Sequence, residues 1–100
     1  MEKKASHYPL QDLKADVKVR GVNAFTRTAL DGIDALGLSA NQAVEVVLGL
    51  NQRMFFKSMT THADHQVWQD VYHALCPNGK VAYIKITIQR GSTVIQFKEK

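Results

Sequence analysis

The sequence predicts an α+β fold in which N-terminal helices pack on one face of a mainly antiparallel sheet formed by the second half. Apolar residues recur at helical spacing up to about residue 50 and at alternating spacing from Met54 onward. No repeat, low-complexity tract or linker separates the two halves, so residues 1–100 are expected to form a single domain, as a chain of 100 residues usually does. With 45% apolar and 22% charged residues the chain has the composition of a folded globule, which excludes a disordered or fibrous class.

Three helices are expected in the first half. Leu10, Leu13 and Val17 follow Pro9 at helical spacing, and Gly21 stands where a helix end favours a residue with positive φ. A second, short helix begins near Thr26, presents Ala29, Leu30, Ile33 and Leu36 on one face, and stops at Gly37. Ser39 and Gln42 then have the spacing of a capping box ahead of Val44, Val47 and Leu48, in a helix that should end by Asn51.

Four strands are expected after them. Met54–Thr60 and Val67–His73 read as the first two, and Lys80–Gln89 with Thr93–Lys98 as a hairpin closed over Arg90-Gly91-Ser92. In the hairpin Ala82, Ile84, Ile86 and Ile88 alternate with Tyr83, Lys85, Thr87 and Gln89. Either two-residue loop pairs an even position of one strand with an odd position of the next, so Ile86 and Ile88 share a face with Thr93, Ile95 and Phe97. The opposite face collects Tyr83, Lys85, Thr87, Gln96 and Lys98. The apolar face calls for the three amphipathic helices as its cover. The polar face is left to solvent or to a ligand.

Charge singles out the same half. Residues 1–50 carry six Lys/Arg against six Asp/Glu, whereas residues 51–100 carry seven against three, with six of the eight aromatics and three of the four histidines. Basic charge interleaved with aromatics attracts phosphates and stacks bases, and it also suits a plain solvated basic face. Cys76 is the only cysteine, so neither an internal disulfide nor a paired-cysteine zinc or redox motif is available. Before a turn at Pro77-Asn78-Gly79 it reads as an ordinary exposed or half-buried thiol. His62, Asp64 and His65 form a short cluster in a loop with no second set of ligands, so no metal site is expected. Nor is a cofactor, because the scattered glycines form no phosphate-binding loop. No apolar run approaches a membrane span or a signal-peptide core, and the expectation is a cytoplasmic protein.

The residue types present suit cleavage of a phosphodiester. Cutting RNA without a metal needs a group to take the 2′-hydroxyl proton, a cation for the dianionic phosphorane and an acid for the departing 5′-oxygen. Lysines and a tyrosine on one sheet face can fill those roles, although Tyr and Lys are also common on exposed strand faces.

Residues 55–72, Phe-Phe-Lys-Ser-Met-Thr-Thr-His-Ala-Asp-His-Gln-Val-Trp-Gln-Asp-Val-Tyr, resemble the signature of the MqsR family of toxins from bacterial type II toxin-antitoxin systems. So do the Met1-Glu2-Lys3 start, His7, Thr26 to Leu30 and the closing Phe97-Lys98-Glu99-Lys100, which extends the resemblance over essentially the whole chain. It implies a RelE-like fold and an endoribonuclease that cuts messenger RNA at short GC-containing sites such as GCU, without the ribosome. The implied partner is an MqsA-like antitoxin that binds zinc and DNA, so that DNA is met only through the antitoxin. The family's functional residues match Lys57, Gln69, Tyr83 and Lys98, and Lys85, His73 and Arg53 are the candidates for binding substrate. Alternation leaves the faces of Lys57 and Gln69 open. Two departures stand out: about one additional residue between Gly79 and Tyr83, readable as a bulge or a longer turn, and His73 where the family tends to carry arginine. A non-catalytic RNA- or ribosome-binding module, and an enzyme using His62, His65 or His73, are the competing readings.

Overall fold

Helix boundaries follow local chemistry closely in the computed structural model, which describes all residues 1–100. Helix α1 spans Leu10–Arg20, with Asp12 in its first turn and Lys18 and Arg20 in its last, the charge order that complements a helix dipole. Helix α2, Arg27–Leu36, is capped by the Thr26 hydroxyl, which accepts from the Ala29 amide at 3.0 Å, and ends on Gly37 in the left-handed conformation, φ 83°. Helix α3, Ala40–Leu48, opens on a complete capping box between Ser39 and Gln42. Short 3-10 turns at Gly21–Ala24 and Gln52–Met54 lead from α1 to α2 and from α3 into the sheet.

The sheet is an antiparallel meander in the order β1-β2-β3-β4-β5. Its strands are β1 (Glu2–Lys3), β2 (Phe55–Thr60), β3 (Trp68–Leu75), β4 (Val81–Gln89) and β5 (Ser92–Glu99). The four expected strands are present within one or two residues of their expected ends. The edge strand β1 is an addition: two residues give too short a pattern to read, and it is held by pairing with Ser58 and Met59. The β4–β5 loop is Arg90-Gly91, since Gln89 pairs with Ser92, and both central residues have positive φ, 53° and 78°, as a type I′ turn requires.

The helices cover the even face of β3 and β4 and the odd face of β5. Leu13, Val17, Ile33, Leu36 and Val47 meet Tyr72, Ile84, Ile86, Ile95 and Phe97 in one core cluster of 19 buried residues. Cys76 belongs to that cluster and is 3% exposed, which corrects the exposed or half-buried reading. It continues the inward phase of Tyr72 and Ala74 beyond the end of β3, and burial pushes its thiol pKa up. The pairing of β3 with β4 runs unbroken from Leu75 and Val81 to Asp70 and Ile86, so no bulge interrupts β4 before Tyr83.

Two contacts fix the rim of the sheet. Gly32 of α2 lies against β5 so closely that a Cβ there would collide with the Phe97 carbonyl oxygen, a position that only glycine can fill. At the other edge the buried Asp70 carboxylate accepts from the His7 amide at 2.9 Å and the Tyr8 amide at 2.8 Å, and Tyr8 donates its hydroxyl to the Trp68 carbonyl. Those bonds anchor the segment that carries β1.

Candidate active site

The uncovered face of the sheet is built by register. His73 pairs with Tyr83 and Tyr83 with Lys98, so these three side chains form one row across β3, β4 and β5. The next row runs through Val71, Lys85 and Gln96, with Lys57 of β2 opposite Val71, and beyond it Met59 faces Gln69. Lys57, Gln69, Tyr83, Lys85, His73 and Lys98 therefore all lie on the uncovered face.

Lys57 reaches it through a β-bulge. The pairing of β2 with β3 shifts between Phe55 and Lys57: Phe55 pairs with Tyr72 on the core face, whereas Lys57, two residues on, pairs with Val71 on the other. In a regular strand the two would share a face. The residue in the bulge, Phe56, stacks on His73 with ring centroids 4.4 Å apart, and His73 meets the Tyr83 ring at 5.5 Å. The Lys98 ammonium stands 5.4 Å from the Tyr83 ring centroid and that of Lys57 5.6 Å from the Phe56 ring, so an aromatic row is flanked by cations at both ends.

Local electrostatics are specific. Lys57 is ion-paired with Glu2 at 3.1 Å, its side chain 22% exposed. His73 has its pKa lowered, first by burial and then by the positive charge of Lys100, and its Nε2 atom is buried with no protein partner. It is thus held neutral at pH 7.

Arg53 stands apart. It is exposed in the 3-10 turn before β2, and no hydrogen bond or ion pair joins its guanidinium to the row. His62, Asp64 and His65 are exposed in the β2–β3 loop, and no group of three or more His, Cys, Asp or Glu side chains is placed to hold a metal ion. Phe56 and Glu2 are neighbours of the site that sequence reasoning passed over. The aromatic pair Phe55-Phe56 ahead of a lysine was the one available signal for the first, and for the second there was none, because it depends on β1.

This arrangement presents cations, a phenol, an amide and a neutral imidazole around one exposed aromatic surface, the combination that can hold a phosphate and move protons beside it. A family model described as "Motility quorum-sensing regulator, toxin of MqsA" matches residues 5–99. Over 100 residues, the full length of both proteins, the chain is 42% identical to the mRNA interferase toxin MqsR of Escherichia coli (strain K12). With a match over nearly its whole length and that degree of identity from end to end, the chain belongs to the MqsR toxin family.

Proposed function

We propose that the uncovered sheet face cleaves messenger RNA by attack of a ribose 2′-hydroxyl on its own phosphate, with Lys57, Gln69, Tyr83 and Lys98 as the catalytic group. Membership of this family makes the chain an mRNA interferase, the toxin of a toxin-antitoxin system, with an RNA substrate and an antitoxin partner. Lys57 and Lys98 neutralise the phosphorane charge, Gln69 positions a phosphate oxygen or base edge, and Tyr83 transfers a proton. Lys85, His73 and Arg53 bind the flanking chain, Arg53 from outside the row. The reaction needs no metal, the preferred sites are short GC-containing sequences such as GCU, and the setting is the cytoplasm. The antitoxin is MqsA-like, zinc-binding and DNA-binding. The whole chain acts as a single toxin domain.

The observation that carries the reading is the cross-strand row from His73 through Tyr83 to Lys98, with Lys57 entering beside it by way of the bulge. Incubating the purified chain with end-labelled RNA in the presence of a chelator tests it: products ending in 2′,3′-cyclic phosphate are expected. Intact RNA retained on the protein would reject catalysis in favour of a binding module. One observation favours a second reading of the chemistry. His73, neutral and wedged between Phe56 and Tyr83 with its Nε2 buried, leaves Nδ1 as the atom to accept the 2′-hydroxyl proton.

A further inference from the structure

A groove of about 390 Å³ opens where α2 meets the uncovered face, beside Tyr83 and Lys98. Its helix wall carries Thr28 and Asp31, its sheet wall Tyr83, Lys85, Gln96 and Lys98. The wall is rigidly placed, because contact between Gly32 and the Phe97 backbone seats α2 directly on β5. Asp31 follows Thr28 by three residues, which brings both to the same side of the helix.

The charges sort what can enter. The lysines attract the phosphates of a bound strand, while a carboxylate on the rim repels them, so a strand crossing the aromatic row would place a base in the groove. The groove falls within the size range of small-ligand sites. Asp31 offers two acceptor oxygens side by side and no donor. Among the four bases guanine alone presents two adjacent donors, N1–H and the 2-amino group, on its Watson–Crick edge. Adenine, cytosine and uracil each present one donating group there. The Arg27 guanidinium, at 3.7 Å, leaves most of the carboxylate free, since the Asp31 side chain is 71% exposed.

We infer that this groove is the guanine pocket of the enzyme, holding a guanine next to the scissile phosphate, with Asp31 accepting from N1–H and the 2-amino group. The inference rests on the ribonuclease function and the guanine-containing sites proposed for this face, and adds the pocket that holds the guanine and the residue that selects it.

Sequencing the cut sites left in a randomised RNA pool tests it. Wild-type protein should enrich guanine at one position adjoining the cut. Asp31→Asn, which replaces one acceptor by a donor, should reduce that preference roughly 5- to 150-fold, the discrimination of one bidentate contact, and leave the other positions unchanged. Inosine, which lacks the 2-amino group, should be a poorer substrate than guanosine at that position for the wild type and an equal one for Asp31→Asn. A profile unaltered by Asp31→Asn overturns the inference while leaving the ribonuclease in place. Complete loss of cleavage in a folded Asp31→Asn protein also overturns it, because Asp31 would then act on the reaction and not on the base. If the wild type cuts nothing, the ribonuclease reading falls and the inference with it.

Discussion

Phe97 and Lys98 are adjacent in β5 and face opposite ways, one 2% exposed in the core and the other across from Tyr83 on the uncovered face. Phe97→Ala should cost about 3 to 5 kcal/mol by opening a cavity, and should lower the melting temperature. Lys98→Ala should leave the melting temperature nearly unchanged and slow cleavage by a factor on the order of 100, the effect of removing one preorganised charge-stabilising group. Melting curves and single-turnover rates for the two variants decide the matter: an unfolded Lys98→Ala or an undiminished rate would remove Lys98 from the site. His73 supplies a pH test. Burial and the Lys100 charge lower its pKa from 6.5, so it is neutral above that value and gains a proton only as pH falls below it. If the neutral ring accepts the 2′-hydroxyl proton, the cleavage rate falls with decreasing pH below about 6.5, and His73→Phe, which preserves the stack on Phe56, abolishes most of the activity. A His73→Phe enzyme that keeps its rate and loses no acidic limb would make His73 a stacking surface only.

Among the elements, β1 has the least support of its own and the most leverage on the site. Two residues of ladder hold it to β2, and its Glu2 carboxylate pairs with Lys57. What secures it lies a few residues on, where Asp70 takes both backbone amides of His7 and Tyr8, and where His7 stacks on Trp68 with the Lys3 ammonium 4.1 Å from the same ring centroid. Asp70→Asn keeps the shape but leaves one acceptor where two are used, at a cost of about 1.5 to 3 kcal/mol for bonds to a charged group. Urea unfolding should show that loss, and hydrogen exchange should be fastest in residues 1–9 of the variant. Equal protection of that segment in both proteins would mean that β1 is held by its aromatic contacts instead. The bulge in β2 illustrates why strand chemistry is hard to read in advance. Strict alternation would send Phe55 and Lys57 to one face, and neither an all-core nor an all-exposed placement suits that pair; one additional residue resolves the conflict by sending each to its own side. The hairpin needed no such device. Its isoleucines alternate without interruption, and the face of Tyr83, Lys85 and Lys98 follows from them alone.

At the scale of the whole molecule the +4 charge is an uneven one, since all of the excess positive charge lies in residues 51–100. Three of those cations, Lys57, Lys85 and Lys98, stand on the uncovered face, with Lys100 near His73. Three or four phosphate contacts on a single strand give a slope of roughly −2 to −3 in log affinity against log salt concentration. Titrating a non-cleavable RNA from low to high salt measures it, and a flat response would rule out binding through this face. The helices act at the same scale by covering the other face of β3, β4 and β5, so that over these strands the molecule has one sheet surface to offer, bordered by the α2 groove.

What the sequence determined by itself were the features that depend on short-range periodicity and local chemistry: three helices with their caps, the hairpin and its faces, the basic second half, and a signature of consecutive residues long enough to imply the family. Tertiary structure decided the rest. The bulge that turns Lys57 outward, the strand β1 that brings Glu2 to it, the stacking of Phe56 on His73, the burial of Cys76 and the groove under Asp31 all join residues distant in the chain or break a regular period. Such placements are set by the registers of neighbouring strands and by how closely a helix can approach a sheet, and these are settled only when the whole core packs.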